Sequence, residues 1–280
     1  MVEMNGKALR NKKLTELKDK IKNNNLTLGL AVIQVGNDEA SNVYVAQKEK
    51  LAKELGYKFV HKIFGENVKQ DTIIEYINEL NNDESIDGIL VQMPLPNHLD
   101  SSLIQNSIDS YKDVDGLTFI NAGRLVQGIP SLVPCTPKGI IDLLDEYNIK
   151  IEGSQVVVIG RSVLVGKPIA NLLTNRNASV TICHSKTKDI ELYTKNADIV
   201  IVAVGKANFL KRSMIKKDSV IIDVGINRID GKLCGDVDFE EVSQIAGFIT
   251  PVPGGVGPMT VYELMHNVLI AHNIRIKYNK

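Results

Sequence analysis

The chain contains no tryptophan and only 5% aromatic residues, too few to set stacking platforms along a nucleic-acid groove. Neither sign of charge is in excess, with 33 lysines and arginines against 33 aspartates and glutamates. Such a surface has no long-range field toward a polyanion or an anionic lipid face, so neither nucleic acid nor membrane is an expected partner. The three cysteines, Cys135, Cys183 and Cys234, are widely spaced with no C-x-x-C, and the five histidines form no H-x-x-x-H pair. Neither a disulfide framework nor a zinc site is signalled, and no metal is expected. The longest apolar runs are of strand length, and residues 1–10 lack the apolar segment of a signal peptide. The expectation is a soluble, cytoplasmic protein.

What is present suits a globular protein: 280 residues, 44% of them hydrophobic, are ample for one large or two medium domains with real cores. The first half alternates strand-like runs with amphipathic helices. "LGLAVIQVG" (28–36), "YKFVHKIF" (57–64) and "IDGILVQMPLP" (86–96) read as strands, and 41–57 and 70–83 as helices. That alternation predicts βαβ units around a parallel sheet. The stretch 113–135 is rich in glycine and proline and reads as a long functional loop. A new helix opens at "CTPKGIIDLL", with Thr136 placed to cap it and Pro137 in its first turn.

Five runs follow, at 155–160, 178–185, 197–205, 219–225 and 247–253. They are apolar almost throughout, as strands buried on both faces are. A last amphipathic segment, 260–276, reads as a helix returning to the first domain. The expected fold is therefore two three-layer α/β domains, the second a Rossmann-like parallel-sheet dinucleotide-binding domain. Residues 1–136 plus 261–280 are assigned to the first and 137–260 to the second.

One helix carries a charge in an odd place. In "SNVYVAQKEKLAKELGY" (41–57), Ser41, Tyr44, Lys48, Leu51 and Leu55 fall within an arc of roughly 80°. Lys48 thus sits on the stripe that a helix normally buries. A lysine can lay its methylenes across apolar surface and lift its ammonium into water. A desolvated lysine with a lowered pKa is instead a proton-transfer group.

"VVVIGRSVLVGKPIANLL" (156–173) is a strand, a glycine turn and a helix start. Gly160 holds the first fingerprint position, Ser162 replaces the second glycine, and Gly166 comes one residue late. Glycine turns of this kind occur without ligands, so the motif alone is weak. The next strand end, "CHSKTKD" (183–189), offers Ser185 and Lys186 where an NAD site would place an acid. With Arg161 in the turn, this is a place for a phosphate, and NADP fits better than NAD.

Together, "SNVYVAQKEK", "DGILVQMPLP", "KDVDGL" (112–117) and "TPVPGGVGPMT" (250–260) resemble the bifunctional methylenetetrahydrofolate dehydrogenase/methenyltetrahydrofolate cyclohydrolase family. "PCTPKGI", "GRSVLVGKP" and "IIDVGIN" (221–227) fit the same pattern, so the likeness spans nearly the whole chain.

The resemblance implies NADP-linked oxidation of 5,10-methylenetetrahydrofolate to the methenyl form. Hydrolysis to 10-formyltetrahydrofolate follows, in one-carbon metabolism and purine biosynthesis. It implies a cleft between the domains, and a homodimer. It makes Lys48, Tyr44 and Gln92 the catalytic group, the lysine held by Gln92 and positioned by Tyr44, with Tyr44 also stacked on the folate and Asp115 on the pterin. Ser41, Pro253, Gly254 and Gly257 line the substrate site; Gly160, Arg161, Ser162, Ser185 and Ile226 hold the cofactor. Asp113 is assigned only a turn. Two rivals share the architecture, a shikimate dehydrogenase-like enzyme and a nucleotide-sensing regulator, and neither accounts for Gln92 in V-Q-M-P-L-P together with Lys48.

Overall fold

The computed structural model describes residues 1–129 and 131–278. Pro130, in the expected loop, and residues 279 and 280, at the end of the expected first domain, lie outside the described residues. In chain order, β1 (Val2–Glu3) and α1 (Gly6–Asn23) precede β2 (Gly29–Val35), α2 (Glu39–Glu54), β3 (Lys58–Phe64) and α3 (Gln70–Asn82). Next come β4 (Gly88–Val91), α4 (Ser101–Asn106), α5 (Phe119–Val126) and α6 (Cys135–Glu146). A second series runs β5 (Gln155–Ile159), α7 (Gly166–Thr174), β6 (Ser179–Cys183), α8 (Glu191–Thr194), β7 (Ile199–Val202) and β8 (Val220–Asp223). The chain closes with β9 (Asn227–Ile229), β10 (Lys232–Cys234), α9 (Phe239–Val242), β11 (Phe248–Ile249) and α10 (Val256–Tyr278).

These elements form two units, one of Leu14–Val133 with Leu264–Lys280 and the other of Met1–Lys13 with Pro134–Glu263. Against the expected division, residues 1–13 group with the second series. The physical reason is β1, which pairs in parallel with β11 through Val2↔Phe248 and Glu3↔Ile249. A two-residue strand has no periodicity to betray it.

In the unit containing β2, the sheet order is β3-β2-β4, all parallel. Every residue of β2 and β4 is buried, which is why both read as apolar runs, interrupted only by Gln34 in β2. Ala31, Ile33 and Val35 pack with Ile73 and Ile77 of α3 and with Ile104 of α4.

The stretch 113–135 is not loop throughout, because it contains α5. What organises it is Asp113, 0% exposed, assigned above only a turn. Its carboxylate accepts the Thr118 N–H at 2.8 Å, Asn121 Nδ2 at 2.9 Å and Gln105 Nε2 at 3.2 Å. Thr118 in turn caps α5 by accepting the Asn121 N–H. Beside it, Lys112 is buried and donates to the carbonyls of Leu80 and Asp83, both at 2.8 Å. Burial, aided by the charge of Arg275, pushes this amine down to about 8.

In the other unit, six parallel strands run β1-β11-β8-β7-β5-β6. Their core includes Val157, Ile159, Val200, Val202, Ile221 and Ile249. Two details differ from expectation. Thr136 does not cap α6; its hydroxyl pairs with that of Thr260 at 2.9 Å. And 227–234 forms the antiparallel β9–β10 hairpin. Its turn residues Asp230 and Gly231 have φ of 50° and 76°, the conformation that D-G favours between short strands.

Asp113→Ala leaves three donors without their buried acceptor and should cost roughly 3 kcal/mol. The expected result is a lower urea midpoint with an unchanged m-value. A loss below about 0.5 kcal/mol, typical of a surface site, would return Asp113 to a turn role.

Candidate functional site

At the carboxyl end of the β3-β2-β4 sheet, α2 is built to present one amine. Asp38 caps it by accepting the Ser41 N–H at 2.8 Å, and that hydrogen bond lowers the carboxyl's pKa. Gln34, 1% exposed on β2, donates to Asn42 Oδ1 at 2.8 Å and to the Gly36 carbonyl at 3.2 Å. His61 Nε2 lies 3.1 Å from its Oε1. The first turn of α2 is thereby tied to β2 and β3. Sequence reasoning missed this network, although a glutamine inside an apolar strand was its visible signal.

The buried face of α2 is Ser41, Val45, Leu51, Ala52 and Leu55. Tyr44 departs from expectation, since its side chain is 49% exposed instead of lying on the buried stripe. Ser41 is 5% exposed, packed under the Asp38 cap. Lys48 is half-buried at the border of the stripe, and its Nζ donates to Gln92 Oε1 at 2.7 Å. Gln92 follows β4 and continues its ladder, with its N–H on the Ile33 carbonyl at 2.8 Å. Its Nε2 donates to the Met93 carbonyl at 2.7 Å, which leaves Oε1 for the lysine.

Ile89 and Asp113 form a parallel bridge. The Gly116 N–H donates to the Asp113 carbonyl at 3.0 Å, so Asp115 lies in a turn just beyond that bridge. Asp115 is half-buried, and the carbonyl of adjacent Val114 accepts Asn267 Nδ2 at 2.8 Å. Lys48 and Gln92 therefore meet at this end of the sheet, with Tyr44 one turn before Lys48 on α2.

In the other unit, a turn of bare backbone follows β5. Gly160 has φ 129°, and a Cβ there would stand 2.4 Å from the Ala203 carbonyl oxygen. A Cβ on Gly166 would stand 2.2 Å from the Gly160 carbonyl oxygen. Ser162, in the second glycine's place, accepts the N–H groups of Val165 and Gly166 at 3.1 and 3.4 Å and so helps to start α7. Arg161 and Ser162 are exposed. The Gly160 N–H donates to the Cys183 carbonyl at 2.9 Å, bringing the ends of β5 and β6 together. Exposed Ser185 and Lys186 follow β6 directly.

The "VPGGVGP" segment divides by role. The Val252–Pro253 peptide is cis, and Gly254 has φ 111°. Gly255 is fixed by packing, since its Cβ would stand 2.6 Å from the Pro251 carbonyl oxygen. A Cβ on Gly257 would meet nothing within 4 Å, so this position leaves surface open.

Ile226, 57% exposed, follows Gly225, whose Cβ would stand 2.2 Å from the Asp236 carboxylate. Asp236 is fully buried and accepts the N–H groups of Val204, Gly205 and Lys206 at 2.7, 3.0 and 2.8 Å. Asp223, at the end of β8, accepts those of Gly225, Asp236 and Val237 at 3.0, 2.9 and 2.9 Å. The pair fixes the loops after β7 and β8. Asp223 also lines, with Val252, a pocket of about 420 Å³. Among the described residues no three His, Cys, Asp or Glu side chains gather as a metal site requires.

Burial outweighs those N–H groups and pushes the Asp223 carboxyl up to about 6. Unfolded, it would titrate near 4. Between these values the folded chain holds the extra proton, so this group's contribution to stability rises as pH falls from 6 to 4. The span is roughly 3 kcal/mol. Stability measured at intervals from pH 7 to 4 should show wild type gaining on Asp223→Asn over that window. A difference independent of pH would refute the assignment.

Residues 4–115 match the family model described as tetrahydrofolate dehydrogenase/cyclohydrolase, catalytic domain, and residues 134–276 match its NAD(P)-binding domain. The bifunctional protein FolD of Campylobacter concisus (strain 13826) is 49% identical over 280 residues, 99% of each chain. The crystal structure of the bifunctional FolD enzyme from Campylobacter jejuni superposes with a TM-score of 0.96 at 48% identity, over 98% of this chain and 99% of that one. The Trypanosoma brucei FolD structure, complexed with NADP cofactor and inhibitor, gives 0.92 at 33% identity over 99% of each chain.

Proposed function

This chain belongs to the tetrahydrofolate dehydrogenase/cyclohydrolase family, and on that footing we propose which of its residues serve each of its two reactions. It oxidises 5,10-methylenetetrahydrofolate to the 5,10-methenyl cation with NADP+, and hydrolyses that cation to 10-formyltetrahydrofolate in one-carbon metabolism. The observation that carries the residue-level account is the 2.7 Å hydrogen bond from Lys48 Nζ to Gln92 Oε1.

NADP+, when bound, supplies the hydride acceptor. The bare backbone at Gly160 and Gly166 fits such a ligand, because no side chain stands between the turn and a phosphate. Arg161 and Ser185, at the ends of the adjacent strands β5 and β6, are the groups we assign to its 2′-phosphate. Ser162 starts the helix behind it, and Ile226 lies on the loop that Asp223 and Asp236 hold. On the folate, Asp115 accepts paired N–H groups from the pterin edge. The exposed ring of Tyr44 offers a stacking face. By family likeness we also assign Pro253, Gly254 and Gly257 to substrate binding, Gly257 leaving open surface on its own unit, and Ser41 supports the start of α2.

In the cyclohydrolase step, water oxygen bonds to the methenyl carbon, and its proton passes to Lys48 Nζ. The bond from that carbon to N5 then breaks as the remaining hydroxyl proton leaves the oxygen and N5 takes a proton, leaving the formyl group on N10. Gln92 orients the amine throughout. The reading extends to a cytoplasmic homodimer whose formyl product serves purine biosynthesis, supported by family likeness. Among the described residues no helix is long and apolar enough to cross a membrane. For the domains, we assign the folate to the unit of β2 and the nucleotide to that of β5.

Lys48→Met should abolish hydrolysis of methenyltetrahydrofolate above the uncatalysed background while reducing hydride transfer less, since hydride passes directly between ligands. Undiminished hydrolysis would remove Lys48 from the mechanism. Arg161→Ala should raise the NADP+ Michaelis constant by roughly ten- to a hundredfold, the worth of one charge-assisted contact, and leave that for NAD+ nearly unchanged. Equal losses with both would mean that the arginine holds the pyrophosphate or the turn.

A further inference from the structure

The four residues after β6 form a turn closed by three hydrogen bonds. The Thr187 N–H donates to the His184 carbonyl at 2.8 Å, the ordinary closure of a β-turn. The His184 N–H donates to Thr187 Oγ1 at 2.9 Å, and the Lys186 N–H donates to His184 Nδ1 at 3.2 Å. Three of the turn's four N–H groups are thus consumed inside it. Ser185 keeps its own, and its side chain is exposed. Nδ1 accepts only when it bears no proton, so the neutral His184 ring carries its proton on Nε2. The residue before the turn, Cys183, accepts the N–H of Gly160, the neighbour of Arg161.

We propose that Thr187 is a positioning residue for cofactor selection: by closing this turn it makes Ser185 present its hydroxyl and backbone N–H together, as two donors for a 2′-phosphate. The inference rests on the reading that Arg161 and Ser185 select NADP+. An open turn would have to be ordered as the phosphate binds, at a cost that the closed turn has already met. Removing Thr187 Oγ1 leaves the His184 N–H without its acceptor and loosens the turn, which keeps its two other hydrogen bonds. The loss then falls only on a ligand that uses the turn. NAD+, which has no 2′-phosphate, does not use it.

The test is calorimetric titration of the full chain with 2′,5′-ADP and with 5′-AMP, alongside Michaelis constants for NADP+ and NAD+. Thr187→Val should weaken 2′,5′-ADP binding and raise the NADP+ constant by about three- to tenfold, the worth of one net hydrogen bond. Binding of 5′-AMP and the NAD+ constant should stay within twofold, which also reports an intact fold. Thr187→Ser should restore the wild-type values. Ser185→Ala, measured in parallel, separates the two ideas. If Ser185→Ala discriminates between the ligands and Thr187→Val weakens neither or both alike, or Thr187→Ser fails to restore, the positioning role is wrong. If Ser185→Ala does not discriminate either, the selection reading falls, and this inference falls with it.

Discussion

A carboxylate taken out of water must collect hydrogen-bond donors, and the functional edges of this protein are organised around three such groups. Asp113 gathers one backbone and two side-chain donors. Asp236 gathers three successive backbone N–H groups and Asn227 Nδ2. Asp223 gathers three more, one of them from Asp236 itself. Each turns an irregular connection into a fixed one without occupying the open surface where a ligand would lie. Loops held in this way can carry chemistry with precision otherwise reserved for helices and strands.

The same logic explains why the polar groups lie where they do. Parallel strands covered on both faces leave no room for chemistry along their length, so reactive side chains collect beyond the carboxyl ends. Gln92 follows β4, Lys48 rides the helix after β2, Arg161 follows β5 and Ser185 follows β6. Lys48 is held at two removes. The Asp38 cap and the Gln34–Asn42 contact fix the start of α2, and the Met93 carbonyl fixes the amide that receives the amine.

Much of the fold was legible. Runs such as "VVVI" and "GILV" are apolar on every residue because both of their faces are covered, and that pattern is local. The D-G pair at 230–231 announced its hairpin and went unread. The helix α5 was hidden by neighbouring glycines and by a cap that depends on Asp113, several residues upstream. The placement of residues 1–13 was hidden because β1 exists only through β11, more than two hundred residues away.

By itself, the sequence determined the periodicities, the glycine turns and the resemblance that joins Lys48, Gln92 and Asp115 to one reaction. These are properties of neighbours along the chain, or of whole motifs kept in order. Only the tertiary structure decided that Tyr44 faces outward and Asp113 inward, and that Gln92 turns its oxygen to Lys48. It alone showed that Thr187 Oγ1 accepts the His184 N–H across the turn that contains Ser185. In each case the side chain's partner is chosen by burial and by the hydrogen-bond donors that folding brings within about 3 Å, and no spacing in the sequence encodes that distance.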